Sequence, residues 1–130
     1  MREKVQKRAR YRCEYCQAPQ NICAYTFHLE HIVPRSKEGT DEPANLALAC
    51  FFCNNSKSAH TTGIDPVTKK EVPLFHPRRD TWAEHFQWTR GLLEIRGLTA
   101  CGRATVMRLK MNAPIRKEGR ELWQMTGYWP

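Results

Sequence analysis

The chain has 130 residues, with 21 Lys and Arg against 13 Asp and Glu, a formal net charge of +8 and six cysteines. That length allows one domain with an extension, and a core small enough for a structural metal to matter. No stretch approaches the roughly 20 apolar residues of a membrane span, and the charged N-terminus lacks an apolar signal core. A cytoplasmic location is the expectation, and six cysteines in a reducing compartment point to metal rather than to disulfides. The basic excess favours a polyanionic partner, most simply nucleic acid. It is concentrated: residues 1–12 hold six basic side chains and one acidic, and residues 103–120 repeat that ratio.

In chain order, "MREKVQKRARYR" reads as a short basic helix leading into the first cysteine pair. "PQNI" is a turn. "AYTFHLEHI" is rich in aromatic and β-branched residues and reads as a strand. "VPRSKEGTDEPAN" is a loop, "LALAC" a second strand, and "FCNNSKSAH" the start of a helix. "GIDPVTKKEVP" reads as a turn with a flexible tip. "DTWAEHFQWT" reads as helix, with Thr81 and Glu84 as a capping box and Trp82, His85 and Phe86 on one face. "LLEIRGLT" fits a strand and turn. "TACGRATVMRLKMN" fits a helix with Cys101, Ala104, Met107 and Met111 aligned. Pro114 can open a last helix that runs through "IRKEGRELWQM" despite Gly119.

Cys13 and Cys16 form one C-x-x-C and Cys50 and Cys53 another. Two residues between ligands let a tight knuckle aim both thiolates at one ion, and two knuckles complete the tetrahedron of a closed structural Zn²⁺ site. A redox pair would not explain why there are two. Cys23 and Cys101 lack such partners and read as small buried hydrophobes. Four thiolates with one Zn²⁺ add about −2 to the formal charge, which leaves the chain basic.

The pattern "FHLEHIVPRS…NLALAC..CNNSK" resembles the HNH endonuclease family, in its branch with two C-x-x-C zinc knuckles. The resemblance covers Cys13 to about Ala59. The segments "GIDPVTKKEVPLFHPRRDTWAEHFQWT" and "GLTACGRATVMRLKMN" also resemble C-terminal extensions on some bacterial HNH proteins. The resemblance implies an α+β fold: a small zinc-stapled ββα-metal core, treble-clef-like, with a basic N-terminal helix and a mostly helical C-terminal extension. Residues 1–60 are expected to form the nuclease core and 61–130 to pack on it as part of one compact domain. The implied activity is metal-dependent hydrolysis of DNA phosphodiester bonds, with structural Zn²⁺ and catalytic Mg²⁺ or Mn²⁺. His31 matches the general base, Asn45 the residue that orients it, and Asn54 a metal ligand. Glu30 matches an acidic ligand that is usually Asp, so this carboxylate is one methylene longer.

The chemistry agrees with those roles. Phosphodiester hydrolysis needs an activated water, neutralised charge at the phosphate and help for the leaving 3′ oxygen. His31, at a strand end, can take a proton near neutral pH. Glu30 is a hard oxygen ligand for Mg²⁺, and the amide oxygen of Asn54 can be a second. His28, two residues before Glu30, is a further candidate ligand, with a hydrogen-bonded structural histidine as the alternative. Arg35, Lys37 and Lys57 are candidate phosphate contacts; Arg78, Arg79 and Arg103 are weaker ones. Trp82, Phe86 and Trp88 read as core rather than as a base-stacking platform. His60, His76 and His85 have no constellation around them. The rival readings are a zinc-stabilised nucleic-acid-binding module with a degenerate site, which Glu30 favours, and a subunit or domain of a larger assembly that supplies target recognition.

Overall fold

One hairpin and one helix bring the two cysteine pairs together. The computed structural model describes residues 1–23, 25–89 and 91–127. Strand β1 (His28–His31) pairs antiparallel with β2 (Leu46–Ala49), in register His28↔Ala49 through His31↔Leu46. Helix α2 (Phe51–Lys57) follows at once. All four residues of β2 are buried, which is why "LALA" lacks the alternation of a strand with one wet face. The predicted first strand is shorter than its sequence signal, and Ala24 lies outside the described residues. Helix α1 (Arg2–Arg8) sends Val5 into the core. Arg8 of the same helix donates to the carbonyls of Pro43 and Leu46 at 2.9 and 2.6 Å.

After α2 the chain forms a hairpin of β3 (Thr62–Ile64) and β4 (Glu71–Pro73). "GIDPVTKKEVP" is therefore strand–turn–strand, not a turn alone. Its tip is fastened by Asp65, whose carboxylate accepts from the amides of Val67 and Thr68 and from the Thr68 hydroxyl. The same carboxylate takes a two-pronged bond from Arg103, both prongs at 2.9 Å. "DTWAEHFQWT" also differs from expectation. It is a single helical turn, α3 (Trp82–His85), followed by β5 (Phe86–Thr89), which pairs with β6 (Glu94–Gly97). Thr81 makes no side-chain cap bond. The aromatics explain the switch: Phe86 stacks against Phe75 at 5.2 Å and Trp82 at 5.1 Å, and β geometry at 86–89 lets Trp88 reach Trp82 at 5.7 Å.

Helix α4 (Ala100–Arg108) is capped by the Thr99 hydroxyl, which accepts from the Gly102 amide at 3.0 Å. Gly102 is obligatory on packing grounds, since a Cβ there would lie 2.1 Å from the His85 carbonyl oxygen. Met107 is 57% exposed, off the face that buries Ala104, and Met111 is buried beyond the helix end. Helix α5 (Pro114–Thr126) starts on Pro114 and stops at Gly127, whose φ of 80° suits glycine. Its Arg116 and Arg120 are buried. With Arg103 ion-paired, half of the basic cluster at 103–120 is therefore spent inside the protein rather than on a polyanion.

Hydrogen bonds from Arg103, and then from Val67 and Thr68, hold the Asp65 carboxyl well below the usual carboxylate range. A depressed folded-state pKa stabilises above the unfolded value and loses that stabilisation as pH falls below about 4. Asp65→Asn is expected to lower Tm at neutral pH. The gap between it and the wild type should narrow in melts taken at pH 3, where other acid-sensitive groups affect both proteins alike.

Candidate active site and metal centre

Cys13, Cys16, Cys50 and Cys53 converge, with their sulfur atoms all within 4.8 Å of one another and every residue buried. None is in a disulfide. Each knuckle turns a backbone amide onto its first sulfur: Cys16 N–H on Cys13 at 3.5 Å and Cys53 N–H on Cys50 at 3.4 Å. The Cys50 sulfur thereby also caps α2. The first knuckle is tied to β2 by Glu14, whose amide donates to the Leu48 carbonyl and whose carboxylate accepts from the Leu48 amide.

Whether these residues suit a zinc ion is answered by what faces them. Arg116 of α5, itself buried, donates to the Cys53 sulfur at 3.0 Å and lies 3.8 Å from that of Cys50. Burial alone would lower its pKa, but the sulfur charges of Cys53, Cys16 and Cys50 hold it above its ordinary value. Burial pushes the thiols of Cys13 and Cys53 up. Four thiolates are therefore sustained only with a cation among them. The guanidinium offsets part of the remaining negative charge. The donor set fits structural Zn²⁺. A three-donor group of Asp80, His85 and Cys101 is only partly buried, and Thr99 and the His76 amide already hold two of its members.

The end of β1 and the face of α2 form an open cleft lined by Leu29, Glu30, His31, Pro34, Arg35, Asn54, Ser58 and Ala59. Of the expected site residues, His31, Glu30, Asn54 and Arg35 thus come together. His28 is exposed and outside the cleft lining. Glu30 is 4% exposed, and its two oxygens are engaged. One accepts from the Lys57 ammonium at 2.5 Å, the other from the Tyr15 hydroxyl at 2.7 Å. Burial pushes the Glu30 carboxyl up, and Lys57 first and then Tyr15 pull it back. Burial, reinforced by the nearby Glu30 charge, raises the Tyr15 phenol, which stays a donor.

Lys57, expected at a phosphate, is 1% exposed and also donates to the Ile32 carbonyl at 2.9 Å. Its side chain reaches under β1, where the buried Glu30 carboxylate and the Ile32 carbonyl receive it. Arg35 and Lys37 are exposed. Arg78 is ion-paired with Glu14.

Asn45 does not touch His31 directly. Its amide accepts from the Val33 N–H at 2.9 Å and donates to the carbonyls of Val33 and Thr40 at 2.9 and 2.8 Å. The side chain on His31 is Asp41, which sequence reasoning passed over: His31 Nε2 lies 2.7 Å from Asp41 Oδ1. Arg35 reaches the same oxygen at 2.9 and 2.8 Å. Bonds from His31 and then Arg35 hold the Asp41 carboxyl below its ordinary range. Asp41 sits in a loop read as solvated, and only its spacing before Asn45 could have singled it out.

Two outcomes follow. Elemental analysis of folded protein should give one Zn²⁺ per chain, with Cys50→Ser losing both zinc and cooperative melting, since such sites contribute about 10 kcal/mol or more. Lys57→Met should cost about 3–5 kcal/mol by chemical denaturation, because it strands a buried carboxylate. The double variant Glu30→Met/Lys57→Met should recover much of that loss.

Residues 13–60 match the model of a family described as HNH endonuclease. The chain is also 35% identical over 74 residues to the CRISPR-associated endonuclease Cas9 of Corynebacterium diphtheriae, a match that covers 51% of this chain and 7% of that protein. No solved structure matches. Among the described residues, no helix is long and apolar enough to cross a membrane. The segment from Cys13 to His60, with its ββα unit and four converging cysteines, is the part of the chain that matches the HNH endonuclease family.

Proposed function

We propose that the chain hydrolyses DNA phosphodiester bonds at the cleft between β1 and α2, using one divalent ion. The observation that carries this reading is the shared cleft. It is lined by His31 at a strand end, by Glu30 and by the helix residue Asn54. Asn54 and Glu30 are hard oxygen donors. Each Glu30 oxygen accepts one protein hydrogen bond and retains a second lone pair. The residues therefore fit Mg²⁺ or Mn²⁺ held by few protein ligands. Such an ion supplies charge neutralisation at the scissile phosphate and at the leaving 3′ oxygen. His31 takes a proton from the attacking water as its oxygen bonds to phosphorus, and the bond from phosphorus to the 3′ oxygen breaks. Arg35 and Lys37, exposed beside the cleft, bind flanking phosphates and set affinity rather than sequence. The recognition of a target falls to a larger nucleoprotein assembly.

A second reading has its own support. The Lys57 ammonium already neutralises Glu30, as expected if the ion site were degenerate and the domain only bound nucleic acid.

Supercoiled plasmid incubated with the zinc-loaded chain should be nicked or cut with Mg²⁺ or Mn²⁺ and left intact with EDTA. His31→Ala should lower the rate by about 10²–10⁴ while DNA binding and zinc content persist. A wild-type chain that binds plasmid without cutting it, alone or in its native assembly, would favour the binding module.

A further inference from the structure

We infer that Asp41 is the positioning residue of His31: it accepts a hydrogen bond from Nε2, fixes the ring in the Nε2–H tautomer and leaves Nδ1 as the nitrogen that takes the proton from water. The inference rests on the nuclease reading for its catalytic meaning, but its geometry stands apart from that reading. A neutral imidazole carries one proton, so whichever nitrogen donates to a carboxylate decides which one can act as a base. With Nε2 2.7 Å from Asp41 Oδ1, the carboxylate settles that choice. It also stabilises the imidazolium formed when the water proton arrives, as the acid of a hydrolase triad does.

An exposed aspartate can hold a ring only if its own loop is held. Here Asn45 does that work. Its three bonds go to Val33, two residues after His31, and to Thr40, the residue before Asp41. The two ends of the loop are thereby clamped at the spacing that His31 and Asp41 need. Between them Gly39 packs so tightly that a Cβ would lie 1.7 Å from the Val33 carbonyl oxygen, so the loop has one way to close. Asn45 thus acts on the histidine through the backbone and through Asp41, with no contact of its own.

Arg35 completes the arrangement. Its two N–H groups and His31 Nε2 converge on one oxygen of Asp41, three donors on an atom with two lone pairs. A DNA phosphate that draws Arg35 away leaves that oxygen to His31 alone. Substrate binding and alignment of the base are coupled by this competition.

The test uses the full zinc-loaded chain. Histidine ¹⁵N NMR without DNA or divalent ion, with His31 assigned by its absence in His31→Ala, should show His31 as the Nε2–H tautomer. Asp41→Ala and Asn45→Ala should each give a tautomer mixture. In single-turnover plasmid cleavage at saturating protein, Asp41→Ala should lose about ten- to hundredfold in rate, with no weakening of DNA binding because Arg35 is set free. Asp41→Glu should restore part of the rate, and Asp41→Asn guards against a folding defect. A wild-type His31 in mixed or Nδ1–H form overturns the inference. So does Asp41→Ala cleaving at the wild-type rate while His31→Ala does not cleave, an outcome that leaves the nuclease reading standing. Absence of wild-type cleavage with His31 locked as Nε2–H retires the nuclease reading and keeps the pairing.

Discussion

Four buried sulfur atoms within reach of one another set the terms for the rest of this fold. Thiols in that position resist ionisation, and thiolates repel one another, so the cluster is stable only with charge brought to it. A zinc ion at the centre would supply most of that charge, and Arg116 supplies some of the rest. The consequences spread along the chain. One knuckle fixes the strand pair through Glu14 and Leu48, and the other starts α2 by capping it with a sulfur. Arg116 then anchors the last helix, some sixty residues away in sequence, to the same cluster. In so small a domain this replaces much of what a larger apolar core would do.

Neighbouring residues on β1 serve opposite purposes because a strand alternates its side chains. Glu30 points inward and is matched with Lys57 and Tyr15. His31 points to the cleft and is matched with Asp41. Whatever Glu30 offers to an ion, the buried trio also holds β1 on α2, since a desolvated ion pair is costly to form and costlier to break in half. The exposed pair adds little to stability; its value lies in direction. The same two-residue stretch thus fixes the cleft wall and presents His31 to the cleft.

Much of this was legible in the sequence because its signals are short and chemical. The C-x-x-C spacing located the metal centre, and "HLEHI" and "LALA" gave the strand pair. The misreadings share a cause: tertiary packing overrode a local pattern. Residues 82–89 carry helix-compatible spacing, yet the stacking of Trp82, Phe86 and Trp88 draws the second half into a strand. Residues 62–73 look like a loop until Arg103 arrives to bind Asp65. Charge was harder still. A lysine or arginine in a list of residues carries no mark of whether a buried acid awaits it, and Lys57, Arg103 and Arg116 all found such partners or sulfur equivalents. Asp41 was invisible for the complementary reason, an ordinary loop acid whose meaning comes only from the nitrogen beside it.

The contact between Arg116 and Cys53 ties the domain to the redox state around it. Oxidation of Cys53 to a sulfenic acid or a disulfide removes a thiolate, and the zinc site opens with it. The guanidinium is then left buried with less charge opposing its own, held by the Leu109 and Lys110 carbonyls and lying over the Phe52 ring. Helix α5 then loses its tie to the sulfur cluster and is held by the Arg120 bonds to the Leu93 and Met111 carbonyls and by Lys117 on Glu94. Peroxide damage at this centre would therefore open the metal site and loosen one anchor of α5 in a single event, and thiol reductants with fresh zinc would have to reverse both together.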